Sequence, residues 1–322
     1  MRDYPRSDRL HRRALAVTPL GAQTLSKARA RFGGSYPAFV VEGRGGRVRD
    51  ADGHEYVDLI ASLGAVVLGH RHRGVEEAVV RAVRDYGGTY GLPHPLEAEV
   101  GERFCVATGW EQVRWCVTGS EASEAAIRTA RIATGRAVVC QSGYHSWAGT
   151  FAASRPVCPG VPDAYKQVIA EFPYNDLGRF RELMARHGDS VAAVIVEPTL
   201  VERPVAGFLA ALAEETRKAG ALLISDEVVC GFRWHLQGAM WGTYGVKPDL
   251  AIFGKAISNG AFPVSALVGD RDLMRHAWAA SGTYNGHPVG LAAVGAVLDE
   301  MEVWSSASLQ RFPTPLSRLW EA

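Results

Sequence analysis

The 322-residue sequence lacks an excess of charge of either sign: 35 Lys and Arg stand against 34 Asp and Glu, a net charge of +1. So even a balance gives no long-range attraction for a polyanion, and neither nucleic acid nor an anionic membrane is expected as a partner. Cysteine is also scarce. The five copies (Cys105, Cys116, Cys140, Cys158, Cys230) form no Cys-x-x-Cys pair, so reduced thiols in a cytoplasmic protein are expected rather than a disulfide framework. No apolar run reaches the length that spans a bilayer, and residues 1–13 are charged with no apolar core, unlike a secretory leader. Both common nucleotide signatures are missing: there is no Gly-x-x-x-x-Gly-Lys-Ser/Thr, and no Gly-x-Gly-x-x-Gly follows a strand. Gly69-His70-Arg71-His72 has a His-x-His spacing, but no carboxylate or cysteine set accompanies it. It reads as a loop, and no metal is expected.

What is present is a chain long enough to bury a large core. A basic, mixed stretch runs to Gly33-Gly34-Ser35-Tyr36-Pro37, a loop signal. Short strand signals at 38–41, 46–49 and 56–59, with a turn at 50–53, predict a small N-terminal β meander. Beyond it apolar strands alternate with amphipathic helices. Strands are predicted at 115–117, 137–140, 191–196, 221–225, 250–253 and 264–268. Helices are predicted at 75–86, 96–107, 122–133, 176–187, 208–219, 272–279 and from 289 to about 301. This alternation predicts an α/β fold, a mainly parallel sheet covered by helices on both faces. The expected organisation is an N-terminal arm and meander over 1–62, a large α/β domain over 63–303, and an irregular tail over 304–322, where Ser and Pro break any helical period.

Ligands of such sheets bind beyond the carboxyl ends of the strands. Tyr144, Glu197, Asp226 and Lys255 all fall at strand ends. Lys255 follows the apolar run Leu250-Ala251-Ile252-Phe253 and Gly254. A lysine desolvated at the mouth of a buried strand becomes a nucleophilic amine; a solvated rim lysine is the bland alternative. Thr118-Gly119-Ser120 turns a short strand into a helix, where unpaired N–H groups and two hydroxyls suit a phosphate. An ordinary Ser N-cap explains the same residues.

Taken in order, Thr118-Gly119-Ser120-Glu121-Ala122, Tyr144-His145-Ser146, Asp226-Glu227-Val228 with Gly231-Phe232-Arg233, Phe253-Gly254-Lys255 and Gly282-Thr283-Tyr284-Asn285-Gly286-His287-Pro288 resemble the class III aminotransferases of pyridoxal-phosphate fold type I. The likeness is greatest to the glutamate-1-semialdehyde aminomutase branch and runs from about Gly33 to about Met301. It implies pyridoxal 5′-phosphate as cofactor, carried as a Schiff base on Lys255, whose freed amine would then move a proton. It implies that Asp226 pairs with the pyridine nitrogen, Val228 and Tyr144 flank the ring, and Gly119 and Ser120 hold the phosphate. Thr283 would reach the phosphate from a neighbouring subunit, which implies a homodimer with shared sites. Glu227 and Arg233 are expected in structural salt bridges, and His145 and Glu197 at the pocket border.

The sequence departs from that branch in places. Ser35-Tyr36-Pro37-Ala38-Phe39 lacks the arginine that would hold a substrate carboxylate, and Leu63 replaces a tryptophan. The expected activity is therefore transfer of an amino group between an amine or amino acid and a keto or aldehyde acceptor. The alternatives are an aminomutase or epimerase, and a truncated, inactive cofactor-binding remnant, because the family's C-terminal small domain is not recognisable in the tail.

Overall fold

A computed structural model describes residues 3–33, 36–37, 39–154, 158–199 and 202–305. Ser35, Ala38 and the part of the expected tail after Ser305 lie outside the described residues. The chain divides into two compact units, Met1–Arg73 and Gly74–Ala322.

In the first unit, helix α1 (Pro5–Leu15) begins where the Asp52 carboxylate accepts the N–H groups of Arg6 and Ser7, at 2.6 and 2.9 Å. The predicted meander is an antiparallel sheet of β1 (Val40–Arg44), β2 (Arg47–Asp50) and β3 (Glu55–Val57). A left-handed turn follows, with φ of +47°, +54°, +59° and +82° at Ala61, Ser62, Leu63 and Gly64. Three successive non-glycine residues rarely adopt this conformation. Asp58 holds the turn: its Oδ1 accepts the Ile60 and Ala61 N–H groups, each at 3.0 Å, and its Oδ2 lies 2.7 Å from His70 Nε2. The histidine pair thus has a carboxylate nearby after all, and His70 uses it to fasten a turn.

The second unit carries the α/β layer. Its seven-stranded sheet runs in the order β4 (Gln112–Cys116), β10 (Ser265–Gly269), β9 (Leu250–Phe253), β8 (Leu222–Glu227), β7 (Val191–Val196), β5 (Val138–Ser142), β6 (Ile169–Glu171). Only β10 is antiparallel to its neighbours. Residues alternate between two cores with the period of two that a strand imposes. Val139, Ile195, Ile224 and Ile252 meet helix α4 (Gly119–Thr134) through Ala122, Ala125, Ala126, Ile127 and Ala130. Cys140, Val194, Val196 and Leu223 meet α5 (Leu177–His187) and α6 (Phe208–Lys218) through Phe180, Phe208 and Leu212. Small alanines let α4 lie close to the sheet as it crosses from β4 at one edge to β5 near the other.

Helices α2 (Arg73–Asp85), α3 (Leu96–Thr108) and α7 (Pro288–Ser305) stand where their periodicity predicts, and α7 packs on α3 and on the turn after β9. The helix predicted over 272–279 breaks into Arg271–Met274 and a 3₁₀ turn, Ala277–Ala279, which keeps both Met274 and Ala277 in the core. Among the described residues no helix is long and apolar enough to cross a membrane.

Candidate active site

Six parallel strands deliver their carboxyl ends to one edge of the sheet, and the predicted site residues follow those ends. Lys255 opens a 3₁₀ turn (Lys255–Ser258) two residues beyond β9. Its φ of +49° lies in the left-handed region, a conformation that costs a lysine energy and is commonest at functional positions. The side chain is half-buried. Burial lowers its pKa; the negative charges of Asp226 and Glu197 oppose that shift, and the Arg233 guanidinium adds to it. The result is an amine more readily neutral than an ordinary lysine.

Asp226 lies on β8, next to β9, in a register that pairs it with Ile252. It is buried and has two partners: Val228 N–H donates to its Oδ1 at 3.1 Å, and His145 Nδ1 lies 2.8 Å from its Oδ2. The other His145 nitrogen, Nε2, lies 3.0 Å from the Ser142 carbonyl oxygen. A carbonyl can only accept, so Nε2 carries a hydrogen and the contact between Nδ1 and Asp226 shares one further proton. His145 therefore fixes the orientation of Asp226.

Strand alternation separates the acidic neighbours. Glu197, one residue beyond β7, and Asp226 fall on the α4 face; Glu227 falls on the other. Fully buried, Glu227 accepts from Ser225 Oγ at 2.6 Å and from the N–H groups of Ala239 and Met240 at 2.7 and 3.0 Å. The salt bridge expected for it is replaced by these three donors, because its face leads into the apolar core around Met240. Burial pushes the Glu227 pKa up to about 7 and the donors oppose it; burial, helped by the charge of Asp226, pushes Glu197 up to about 8.

At β4 the helix start is a capping box. Glu121 N–H donates to Thr118 Oγ1 at 3.3 Å, while Glu121 Oε2 accepts Val117 N–H at 2.8 Å and Thr118 N–H at 3.4 Å. The cap is Thr118, so the hydroxyl of Ser120 is not used as one, and the first-turn N–H groups of Gly119 and Ser120 precede the intrahelical ladder. Ser123 Oγ lies 2.9 Å from the Gly119 carbonyl and 2.8 Å from that of His145, tying this turn to the Asp226 pair. A Cβ on Gly119 would lie 2.9 Å from Val228 Cγ1, and one on Gly254 would lie 3.4 Å from the same atom. Val228 is thus the wedge between the helix start and the lysine turn.

The structure brings Gly119, Asp226, Val228 and Lys255 to one edge, with Ser120 on the adjoining helix turn. Tyr144, in the loop after β5, is 56 % exposed. Thr283 is exposed too, its carbonyl accepting from Thr89 Oγ1 at 3.2 Å. A groove of about 730 Å³ runs along the exposed side of α4, lined by Ser120, Arg128, Trp147, Ala280 and Asn285 among others; Asp226, Val228 and Lys255 do not line it. An amine of lowered pKa, a carboxylate held by a histidine and a helix start with free N–H groups match the aldehyde, ring nitrogen and phosphate of pyridoxal 5′-phosphate. The donor set fits that group.

The family described as "Aminotransferase class-III" matches residues 29–311. A curated relative, "Glutamate-1-semialdehyde 2,1-aminomutase" of Deinococcus radiodurans, is 37 % identical over 324 aligned positions, covering 92 % of this chain and 72 % of its own length. Among solved structures, an omega-transaminase from Sphaerobacter thermophilus superposes with a TM-score of 0.84 at 29 % identity, over 92 % of this chain and 72 % of that one. A structure described as a transaminase with PLP bound gives 0.85 at 29 % identity, over 94 % and 74 %.

Proposed function

The chain belongs to the class III aminotransferase family, and we propose that it moves an amino group between an amine or amino acid and a keto or aldehyde acceptor, with pyridoxal 5′-phosphate held at Lys255. Lys255 would hold the cofactor through its amine, Asp226 would bond the ring nitrogen, and Gly119 and Ser120 would bind the phosphate. Val228 and Tyr144 would flank the ring. When bound, the cofactor supplies an aldehyde for amine exchange and a sink for the electrons left on the substrate carbon.

The remaining work falls to the chain. Lys255 Nζ, once free, would act as base for the proton on the substrate carbon that bears nitrogen and would hold that proton for its return, which requires a neutral amine at working pH. Burial provides that. His145 and Val228 N–H hold both oxygens of Asp226, which would orient its carboxyl for the ring nitrogen. Thr283 would complete the phosphate site from a second copy of the chain, making the working form a homodimer.

The observation that carries this reading is the convergence of Lys255 and the Asp226–His145 pair at neighbouring strand ends. It is tested by titrating the purified protein with pyridoxal 5′-phosphate and recording visible absorbance. A band that is absent from Lys255→Ala, and that some amines bleach, is expected. No band in the unsubstituted protein would end the proposal. The second reading is an aminomutase, favoured by the identity to the Deinococcus protein so named. It predicts one product from one substrate with no keto acceptor added, whereas transamination stalls after a single turnover without one.

A further inference from the structure

Three carboxyls end two neighbouring strands: Glu197 after β7, and Asp226 and Glu227 on β8. Asp226 has His145 and an N–H donor; Glu227 has three donors. Glu197 has none. It is 9 % exposed, and among the described residues no N–H or O–H group bonds its carboxyl. Burial and the neighbouring Asp226 disfavour a charge on Glu197, and among the described residues it has no donor to offset them. The register that pairs Val196 with Ser225 sets Glu197 beside Asp226, on the face toward α4.

We propose that Glu197 is a positioning residue that acts through Lys255: as a neutral acid it leaves the lysine amine free to lose its proton, and as a carboxylate it holds that amine as ammonium. The charged and titratable groups around it are Asp226, Glu227 and Lys255, with Tyr174 and Cys230 also in its field. The His145 ring is committed to Asp226 and Ser142, and Arg233 acts on Lys255 itself. Among the described residues Lys255 is the cation whose charge opposes the rise at Glu197. Burial, which pushes the Glu197 pKa up to about 8, agrees with this arrangement. Only O–H and N–H bonds change: the proton that leaves Glu197 goes to solvent or to Lys255 Nζ.

The inference deepens the proposed activity, yet its test needs no cofactor. The protein alone is labelled with trace acetic anhydride across a pH series, and the Lys255 peptide is quantified by mass spectrometry against exposed Lys166 and Lys218. At pH 9 the Glu197→Gln variant should acetylate Lys255 about tenfold faster than the unsubstituted protein, the size of effect expected when a nearby opposite charge is removed. Glu197→Asp should stay close to the unsubstituted profile. Superposable profiles for Glu197→Gln and the unsubstituted chain would overturn the inference. The carboxyl is also read without relying on the Gln variant, from the ¹³C resonance of labelled glutamate in the unsubstituted protein, identified by its loss in Glu197→Asp. A midpoint near pH 8 is expected, and a carboxyl already ionised at pH 6 would overturn the inference. A protein that gives these profiles but binds no pyridoxal 5′-phosphate would end the proposed activity and leave this inference standing.

Discussion

Glu227 shows how a single buried group sets a pH response. Its carboxylate is surrounded by donors only: one hydroxyl and two N–H groups. Replacing it by the isosteric Gln removes one acceptor and turns an NH₂ group toward those donors, leaving buried polar groups unpaired. Glu227→Gln should cost about 1–3 kcal/mol in urea unfolding at neutral pH. The sign of the pH effect follows from a folded pKa of about 7, raised from an ordinary value of 4.5. The native state keeps a proton that the unfolded chain has released, so this contribution is fully present below the ordinary value and is lost as pH rises to about 7. Glu197 acts in the same direction up to about 8. Melting temperature followed from pH 4.5 to 8 should therefore fall less steeply in Glu227→Gln than in the unsubstituted protein. An unchanged slope would mean that Glu227 is ionised throughout.

At the scale of elements, the start of α4 depends on Gly119 having no side chain. A Cβ there would meet Val228 Cγ1 at 2.9 Å and Cγ2 at 3.1 Å, so Gly119→Ala must push Val228 or move the turn. Overpacking of this kind costs about 1–3 kcal/mol. Stability to urea should fall in Gly119→Ala and be partly regained in the double variant with Val228→Ala, measured against Val228→Ala alone; additive losses would show that the two positions do not meet. Most elements here were legible from the sequence. The strand-end positions of Asp226, Glu197 and Lys255, and the turn at 118–121, follow from local pattern. The pairings that define the site do not. His145 and Asp226 are 81 residues apart, and Glu197 adjoins Asp226 only through strand register, which one sequence does not fix. Glu227 departs from the expected salt bridge because the alternation that sends it into the opposite core, among three donors, depends on the face β8 presents. The single helix expected over 272–279 failed for a similar reason: its period was correct, but the core required a tighter turn.

At the scale of the whole molecule, the second unit leaves large aromatic side chains uncovered: Trp147 is 77 % exposed, Trp278 72 % and Tyr284 60 %. A second copy that covers Tyr284 would bury apolar surface, and Thr283 is its neighbour in the chain. Light scattering on the eluting protein should report a mass twice the 34.7 kDa of one chain. A dimer alone does not establish shared sites, so the sharper measurement mixes two inactive parents, Lys255→Ala and Thr283→Ala, through a denaturation and refolding cycle. If Thr283 acts on the neighbouring subunit, each mixed dimer contains one complete site, with the lysine from one parent and the threonine from the other. Half of the refolded dimers would then carry one unsubstituted site, and tight cofactor retention should return to about a quarter of all sites by simple binomial mixing of two equal dimer partners. If Thr283 serves its own subunit, every site retains one defect. The mixture then behaves as the sum of its parents, and the proposal of a shared site fails even where the mass is that of a dimer.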